Sequence, residues 1–180
     1  MSEFVAFDKI YRYSRNCVVT EKIDGTNAQI YIDKDHPGVV LAGSRKRWLK
    51  IGDDNFGFAG WVAEHESELA LGLGPGRHFG EWWGSGIQRG YGIKEKRFSL
   101  FNVGRWNESN PPPSCCCVVP VLYRGAFSDT AVSAAMETLR ANGSYAAKGY
   151  ADPEGIVIYH TQSGYLFKKT FKHDESGKGT

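Results

Sequence analysis

The sequence lacks the features that define several classes of protein. None of its apolar runs reaches the ~18 residues that a membrane-spanning helix needs, and nothing near the N-terminus resembles a secretory signal. Its net charge is only +2 over 180 residues, so no overall field recruits nucleic acid, and such binding needs a local basic patch. We expect a cytoplasmic protein without a membrane partner. The length suits a single domain over residues 1–180.

Cysteine is scarce, and histidine shows no useful pattern. The four cysteines are Cys17 and the run from Cys115 to Cys117. Adjacent cysteines lack the intervals that zinc fingers use. The five histidines have no ligand spacing, so we assign none of them to a metal. Reduced thiols in the cytoplasm are the ordinary expectation for such a set of cysteines.

Strand patterns dominate the rest of the chain. β-branched and alternating residues predict strands over Cys17–Lys22, Ala28–Asp33 and Val39–Ser44, with others in "HFGEWWG" and "KRFSLFNVGRW". The stretches "EGIVIYH" and "GYLFKKTF" predict a hairpin. Because strands outnumber helices and the links between them are short, we predict an α+β fold of antiparallel sheets flanked by a few helices.

Two segments have helical character, and a third excludes regular structure. "SDTAVSAAMETLRANG" predicts a helix capped by Asp129 and ended by Gly143. Another helix is expected to start at Asp54 or Asn55 and to stop at Gly72. "NESNPPPSCCC" is predicted to be a surface loop, since three prolines end any regular element.

The segment Lys22-Ile23-Asp24-Gly25 follows the first predicted strand. A lysine at a strand end can be held rigidly, and a turn glycine lets a ligand approach the backbone closely. A lysine amine, with an ordinary pKa near ~10.4, becomes a nucleophile when desolvation or nearby cations lower that pKa. The four residues alone also fit an ordinary hairpin turn with a solvated lysine.

Further motifs follow this segment in a fixed order. They are Ser44-Arg45, Phe79-Gly80-Glu81, "KRFSLFNV", Glu154-Gly155-Ile156-Val157 and "LFKK". This order resembles the covalent nucleotidyltransferase superfamily, and the "KIDGTN" context resembles its RNA ligase branch, over about residues 18–172. The resemblance implies an adenylation domain fold and an ATP-dependent RNA ligase with a lysyl-AMP intermediate. It also implies Mg²⁺ or Mn²⁺, and RNA ends with a 5′-phosphate and a 3′-hydroxyl, in single strands or a nicked duplex, as substrates.

The resemblance assigns a role to each matching residue. It makes Lys22 the nucleophile and Lys168 a catalytic contact to the α-phosphate, whose charge would also lower the pKa of Lys22. Glu154 would bind a divalent metal ion, directly or through water, or would steer the lysine amine. Phe98 would stack on the base, with Phe101 competing for that role. The residues that the resemblance implies for nucleotide binding are Glu21, Asn27, Arg45, Glu81, Phe98, Glu154 and Lys168.

One motif departs from the family pattern. The family has two lysines two residues apart on one face of the last strand, whereas this chain has Lys168 and Lys169, which point to opposite faces. We choose Lys168 as the phosphate contact and expect Lys169 to be solvated. The second expected contact is missing, replaced by Thr170, or supplied by Lys172.

Alternatives remain open at this point. We expect no OB-type module and no C-terminal helical domain, which places the sealing steps in more doubt than lysine adenylylation. One alternative is a nucleotide- or nucleic-acid-binding module that keeps the fold without turnover, and another is a minimal ATP-dependent DNA ligase. The basic and aromatic stretches "RKRWLK" and "RGYGIKEKR" suit RNA binding but equally suit a solvated face.

Overall fold

The computed structural model describes residues 2–36 and 38–174, and these residues form nine strands and three helices, which confirms the predicted α+β class. None of the helices in this part of the chain combines the length and the hydropathy needed to cross a membrane. The strands are β1 Asn16–Lys22, β2 Thr26–Ile32, β3 Val40–Ser44, β4 Gly76–Gly84, β5 Lys96–Leu100, β6 Cys116–Val118, β7 Val121–Ala126, β8 Gly155–His160 and β9 Leu166–Thr170, and the helices are α1 Phe58–Glu64, α2 Glu66–Leu73 and α3 Asp129–Asn142.

The strands form two sheets. The first sheet has the order β7-β1-β8-β9 and the second has the order β3-β2-β4-β5-β6. Every pairing is antiparallel except that of β5 with β6. The consecutive strands β1 and β2 lie in different sheets, so Lys22–Gly25 is a crossing between sheets. The hairpin interpretation of this segment is therefore wrong.

Three apolar layers hold the sheets and helices together. One face of the second sheet packs on α1 and α2, through residues such as Ile30, Phe58 and Trp82. One face of the first sheet packs on α3, whose buried residues recur at helical spacing. The third layer includes Val18 and Trp83 and lies between the two sheets. Part of the remaining face of each sheet thus meets the other sheet.

The first predicted helix differs from the sequence prediction in its continuity and in its start. The helix expected from Asp54 to Gly72 is divided into α1 and α2 at His65, whose ψ of 14° interrupts the helical backbone. The predicted N-cap at Asp54 or Asn55 is wrong, because α1 begins at Phe58 with Gly57 as its N-cap. The Asp54 carboxylate nevertheless accepts hydrogen bonds from two amides of the first turn, Ala59 at 2.8 Å and Gly60 at 3.2 Å.

The start of α3 and the cysteine run also require corrections. The N-cap of α3 is Ser128, whose hydroxyl accepts from the Ala131 amide at 3.2 Å, and Asp129 is already inside the helix. The predicted loop through the cysteines is interrupted by β6, in which Cys116 pairs with Phe98. The prolines restrict only the segment before this strand, so they did not prevent the pairing.

Candidate active site

The crossing segment is held by the layer between the sheets, by the loop after β4 and by β4 itself. Ile23 is 4% exposed and packs in the layer between the sheets. The Asp24 amide donates to Tyr91 Oη at 2.7 Å, and the Gly25 amide donates to Glu81 Oε1 at 3.1 Å. The backbone directly after Lys22 is therefore fixed in place.

Gly25 is required by close packing. A Cβ at this position would lie 2.5 Å from the Trp82 carbonyl oxygen and 2.7 Å from Trp83 Cβ, distances that side-chain carbons do not reach. The expectation that this glycine makes room for a ligand is wrong, because the neighbouring strand β4 occupies the space.

Lys22 ends β1 with its amine in a partly buried ion pair. Its Nζ lies 2.5 Å from Oε2 of Glu154, and the two side chains are 24% and 15% exposed. Glu154 directly precedes β8, and the pairing of Lys22 with Gly155 brings the carboxylate to the amine. The structure thus unites two of the predicted site residues.

Glu81 reaches the same place from the second sheet. The pKa of Glu81 is raised to about 7. Burial is the main cause, the Lys22 ammonium and the Gly25 amide oppose it, and the charges of Glu154 and Asp24 add smaller increases. Near neutral pH this carboxyl therefore exists in both protonation states. It can accept a hydrogen bond in one state and donate one in the other.

Asn27 and Arg45 lie at the same end of the second sheet. Asn27 is directly opposite Glu81, so their side chains share a face. Ser44 pairs with Ala28, which places the exposed Arg45 one residue beyond the ladder, at the end where Asn27 lies. Both predicted site residues are thus close to the crossing segment.

The strand register separates the two adjacent lysines of β9. Val157 pairs with Thr20 on one side and with Lys168 on the other, and Thr20 shares the face of Lys22. Lys168 is therefore on the face of the first sheet that carries the nucleophile candidate. Lys169 points to the opposite face, where its Nζ lies 3.7 Å from Asp174 Oδ2.

The two other candidates for a second phosphate contact already have protein partners. Lys172 Nζ lies 3.1 Å and 3.2 Å from the two carboxylate oxygens of Asp152. The Thr170 hydroxyl donates to the carbonyl oxygen of Lys172 at 2.8 Å. Both residues therefore hold the chain after β9 in position.

The prediction that Glu21 contacts the nucleotide is wrong. Its side chain is on the opposite face of β1 from Lys22, and the residue is 1% exposed. The carboxylate accepts hydrogen bonds from the Ser144 hydroxyl and from the amides of Tyr145 and Ala146. Burial nevertheless raises the pKa of Glu21, and the hydrogen bonds oppose that effect. Glu21 therefore anchors the turn after α3.

The prediction that Phe98 stacks on a base is also wrong. Phe98 is fully buried, with ring centroids of Phe58 and Trp61 at 5.2 Å and 5.9 Å, on the helix-covered face of the second sheet. Its neighbour Ser99 pairs with Glu81. Phe101, two residues further, is 39% exposed on the Glu81 side, so the competing residue has the required position.

An ion-pair network that the sequence analysis missed supports the site. Arg89 Nε lies 2.9 Å from Asp24 Oδ2, and its Nη1 lies 2.8 Å from Asp152 Oδ2. We define Asp24, Arg89, Asp152 and Lys172 as the Arg89 clamp. The available signal was a single arginine within the glycine-rich "GSGIQRGYG", whose overlap with the basic stretch "RGYGIKEKR" suggested either RNA binding or a solvated face.

The carboxylates around Lys22 suit a metal ion that keeps most of its water ligands. Within the described residues, no group of three or more histidine, cysteine, aspartate or glutamate side chains is arranged to hold a metal ion. Mg²⁺ commonly uses one or two carboxylates together with water and substrate phosphates. Glu154 meets this requirement beside Glu81, so the donor set fits Mg²⁺ or Mn²⁺ brought in with a nucleotide.

Comparisons with known proteins bear on the fold and the family of the chain. One solved structure of a Naegleria gruberi RNA ligase variant, with ATP and Mn, is 21% identical with a TM-score of 0.63, over 89% of this chain and 51% of the other. Another variant, with AMP and Mn, is 20% identical with a TM-score of 0.61, over 88% and 50%. This chain thus spans about half the length of those structures, and the likeness shows a shared fold.

No curated protein matches the chain. The RNA ligase family, however, matches residues 15–173, nearly the whole of the described region. This match includes the crossing segment, the glycine-rich stretch and the last strand. The chain therefore belongs to the RNA ligase family.

Proposed function

We propose that residues 1–180 act as one nucleotidyltransferase domain of an ATP-dependent RNA ligase, with Lys22 as the covalent nucleophile. The observation that carries the proposal is the position of Lys22 at the crossing between the two sheets. Glu154 and Lys168 lie on its own sheet, and Glu81 faces it from the other. A nucleotide held between the sheets would meet all four side chains.

In the proposed first step, Lys22 attacks the α-phosphorus of ATP. The ammonium must first lose a proton, and Glu154 Oε2, at 2.5 Å, is placed to accept it. A bond then forms between Nζ and phosphorus, and the bond from phosphorus to the bridging oxygen of pyrophosphate breaks. Lys168, on the same face, would offset the negative charge that grows on the α-phosphate.

In the proposed later steps, AMP passes to the 5′-phosphate of an RNA end, and a 3′-hydroxyl displaces it. The first transfer returns the amine of Lys22, and the second forms the phosphodiester bond and releases AMP. Mg²⁺ or Mn²⁺, held by Glu154 and the phosphates, would neutralise the charge on the triphosphate and on the leaving pyrophosphate.

Four residues in the strands of the second sheet or directly after them are proposed to bind the rest of the nucleotide. Glu81 would accept hydrogen bonds from the ribose hydroxyls, beside Asn27. Arg45 would bind phosphate or ribose through its permanently charged, planar group. Phe101 would stack on the base, replacing Phe98 in this role.

Intact-protein mass spectrometry tests the proposal. Wild-type protein, first treated with pyrophosphate to remove any AMP already present, is incubated with Mg²⁺ and ATP or GTP. We expect an AMP-sized gain with ATP in the wild type, no gain in Lys22→Ala, and a reduced rate in Lys168→Ala. Lys169→Ala is the matched control and should retain the wild-type rate, because Lys169 points away from Lys22.

A second candidate function is a binding module of the same fold without turnover. It is favoured by the ion pair that occupies the Lys22 amine and by the single lysine of β9 on the Lys22 face. No mass gain with either triphosphate, in folded protein that still binds ATP, would support this candidate. If the adduct forms, competition between nicked duplex DNA and RNA ends distinguishes a DNA ligase from an RNA ligase.

We also propose that the protein works in the cytoplasm. All four cysteines are free, and the sulfur atoms of Cys115 and Cys116 are 4.0 Å apart. Burial raises the pKa of Cys115 to about 11, so its thiol has little thiolate character. Unpaired thiols of this kind suit a reducing compartment.

A further inference from the structure

A second concave surface lies on the helix-covered side of the second sheet, away from Glu81. It is a groove of about 510 Å³ between α1 and the ends of β4 and β5, which we call the α1 groove. Its walls include Phe56, Trp61, Lys94 and Lys96. The nucleotide contacts proposed above use the opposite face of the sheet, so they leave this groove unused.

Phe56 has an unusual and well-supported conformation. Its φ is +52°, a region that non-glycine residues seldom adopt, and the residue is 47% exposed. Its carbonyl oxygen accepts hydrogen bonds from Trp82 Nε1 at 3.2 Å and from Lys96 Nζ at 2.9 Å. Strained backbone that the surroundings maintain is concentrated at functional sites. Phe56 is thus a half-exposed aromatic residue in the wall of the groove.

The charges and the flat walls of the groove suit a polynucleotide strand. Lys94 and Lys96 provide two positive charges against one negative charge from Glu64. A Cβ at Gly60 would meet nothing within 4 Å, so the helix wall beside the ring is open. Aromatic faces together with lysines are the usual means of holding single-stranded nucleic acid.

The groove is also joined to the crossing segment. Asn55 Nδ2, next to Phe56, donates to Thr26 Oγ1 at 2.8 Å, and Thr26 directly follows Gly25. A strand that lies over Phe56 would therefore continue past the edge of the sheet towards Lys22.

We propose that the α1 groove binds a single-stranded segment of the RNA substrate, with one base stacked on Phe56 and phosphates contacted by Lys94 and Lys96. The inference rests on the proposed function, since it takes the RNA to be the substrate of the Lys22 site. Recognition is by a base face and by phosphate charge, and it does not depend on sequence.

Fluorescence anisotropy with the full chain and a labelled, unstructured 12-nucleotide RNA, without ATP, tests the proposal. We expect Phe56→Ala to weaken binding about tenfold, within the range measured for loss of one stacked base. Phe56→Trp should restore the affinity because it keeps a stacking face. Lys94→Ala should make the slope of log K against log salt shallower by about 0.7, the value for one phosphate contact on a single strand.

The control is Tyr145→Ala, which removes an aromatic side chain of similar exposure, 49%, outside the groove and should leave RNA affinity unchanged. Three results would overturn the proposal. They are an unchanged RNA affinity in Phe56→Ala, competition by duplex RNA as strong as that by single-stranded RNA, and no RNA binding by the wild type. Phe56→Ala should also weaken the binding of single-stranded DNA of the same sequence, since stacking does not use the 2′-hydroxyl.

Adduct formation separates this inference from the proposed function. Phe56→Ala should form the adduct with ATP at the wild-type rate. If the variant instead loses adduct formation and RNA binding to the same extent, Phe56 belongs to the nucleotide site and the proposal for the α1 groove is wrong. If the wild type forms no adduct but Phe56→Ala loses RNA affinity, the ligase proposal is wrong and RNA binding in the α1 groove is supported.

Discussion

At the scale of single residues, Glu81 gives a prediction about pH. The pKa of Glu81 is about 7 in the folded protein, against ~4.3 for a free glutamate. Between these values the folded state keeps a proton that the unfolded state releases, so this group makes the free energy of unfolding fall as pH rises. In the wild type, Glu81 should therefore lower the free energy of unfolding by about 2–3 kcal/mol between pH 4.5 and 7. Glu81→Gln should abolish this decrease.

Urea titrations of both proteins across this range measure the effect. Glu137→Gln, which removes an exposed carboxylate of α3, is the control and should keep the wild-type slope. Parallel pH profiles for wild type and Glu81→Gln would contradict the prediction.

The sequence identified chemical types at the site better than it identified side-chain directions. Lys22, Glu81 and Glu154 are brought together as the motif order predicted. Glu21 and Phe98 carry the right chemical groups but point away from the site. Alternation along a strand shows that Phe98 and Phe101 face opposite ways, yet it does not show which face meets the other sheet. That choice depends on how the two sheets pack.

At the scale of elements, the Arg89 clamp joins the crossing segment to the chain that precedes β8. One guanidinium contacts Asp24 on one side and Asp152 on the other, two residues before Glu154. Arg89→Ala should leave Asp24 without its cation and loosen both ends of the Lys22–Glu154 pair. We expect about a tenfold or greater loss in the rate of Lys22 adenylylation, because small misplacements of reacting groups are costly.

Single-turnover adenylylation at several ATP concentrations measures this loss. Arg89→Lys should recover only part of the rate, since an ammonium lacks the planar fork that spans two carboxylates. Asp152→Asn is the matched variant and should cause a smaller loss, because Asp24 keeps its partner. A wild-type rate in Arg89→Ala would show that the clamp has no role in positioning.

The elements themselves were predictable where local pattern decides them. β1, β8, β9 and α3 have β-branched alternation or helical spacing and appear close to their predicted positions. β6 was missed because three residues beside a proline-rich segment become a strand only when β5 offers an edge. The break at His65 likewise depends on how α1 and α2 fit the second sheet.

At the scale of the whole molecule, the two sheets are connected at the crossing segment, and Gly25 lets this segment lie directly against β4. Gly25→Ala places a Cβ 2.5 Å from the Trp82 carbonyl oxygen, so the strands must shift. We expect the free energy of unfolding to fall by about 1–3 kcal/mol, as for other overpacked sites. Urea denaturation at fixed pH provides the measurement.

Gly60→Ala in α1 is the matched control for this change. A Cβ there meets nothing within 4 Å, and alanine in a helix is favoured over glycine by about 0.5–1 kcal/mol, so stability should rise. Equal effects of the two substitutions would mean that close packing at the crossing has no special importance.

The partly buried ion pair of Lys22 has a consequence for the resting protein. An ammonium ion has no lone pair, so while Glu154 holds the amine in this form it is inert towards reactive esters, anhydrides and aldehydes as well as towards ATP. In the proposed reaction, the binding of a triphosphate with its own cation would change the charge around this pair and let Glu154 take the proton. The contact that prepares Lys22 for attack would thus also protect the nucleophile from chemical ageing between turnovers.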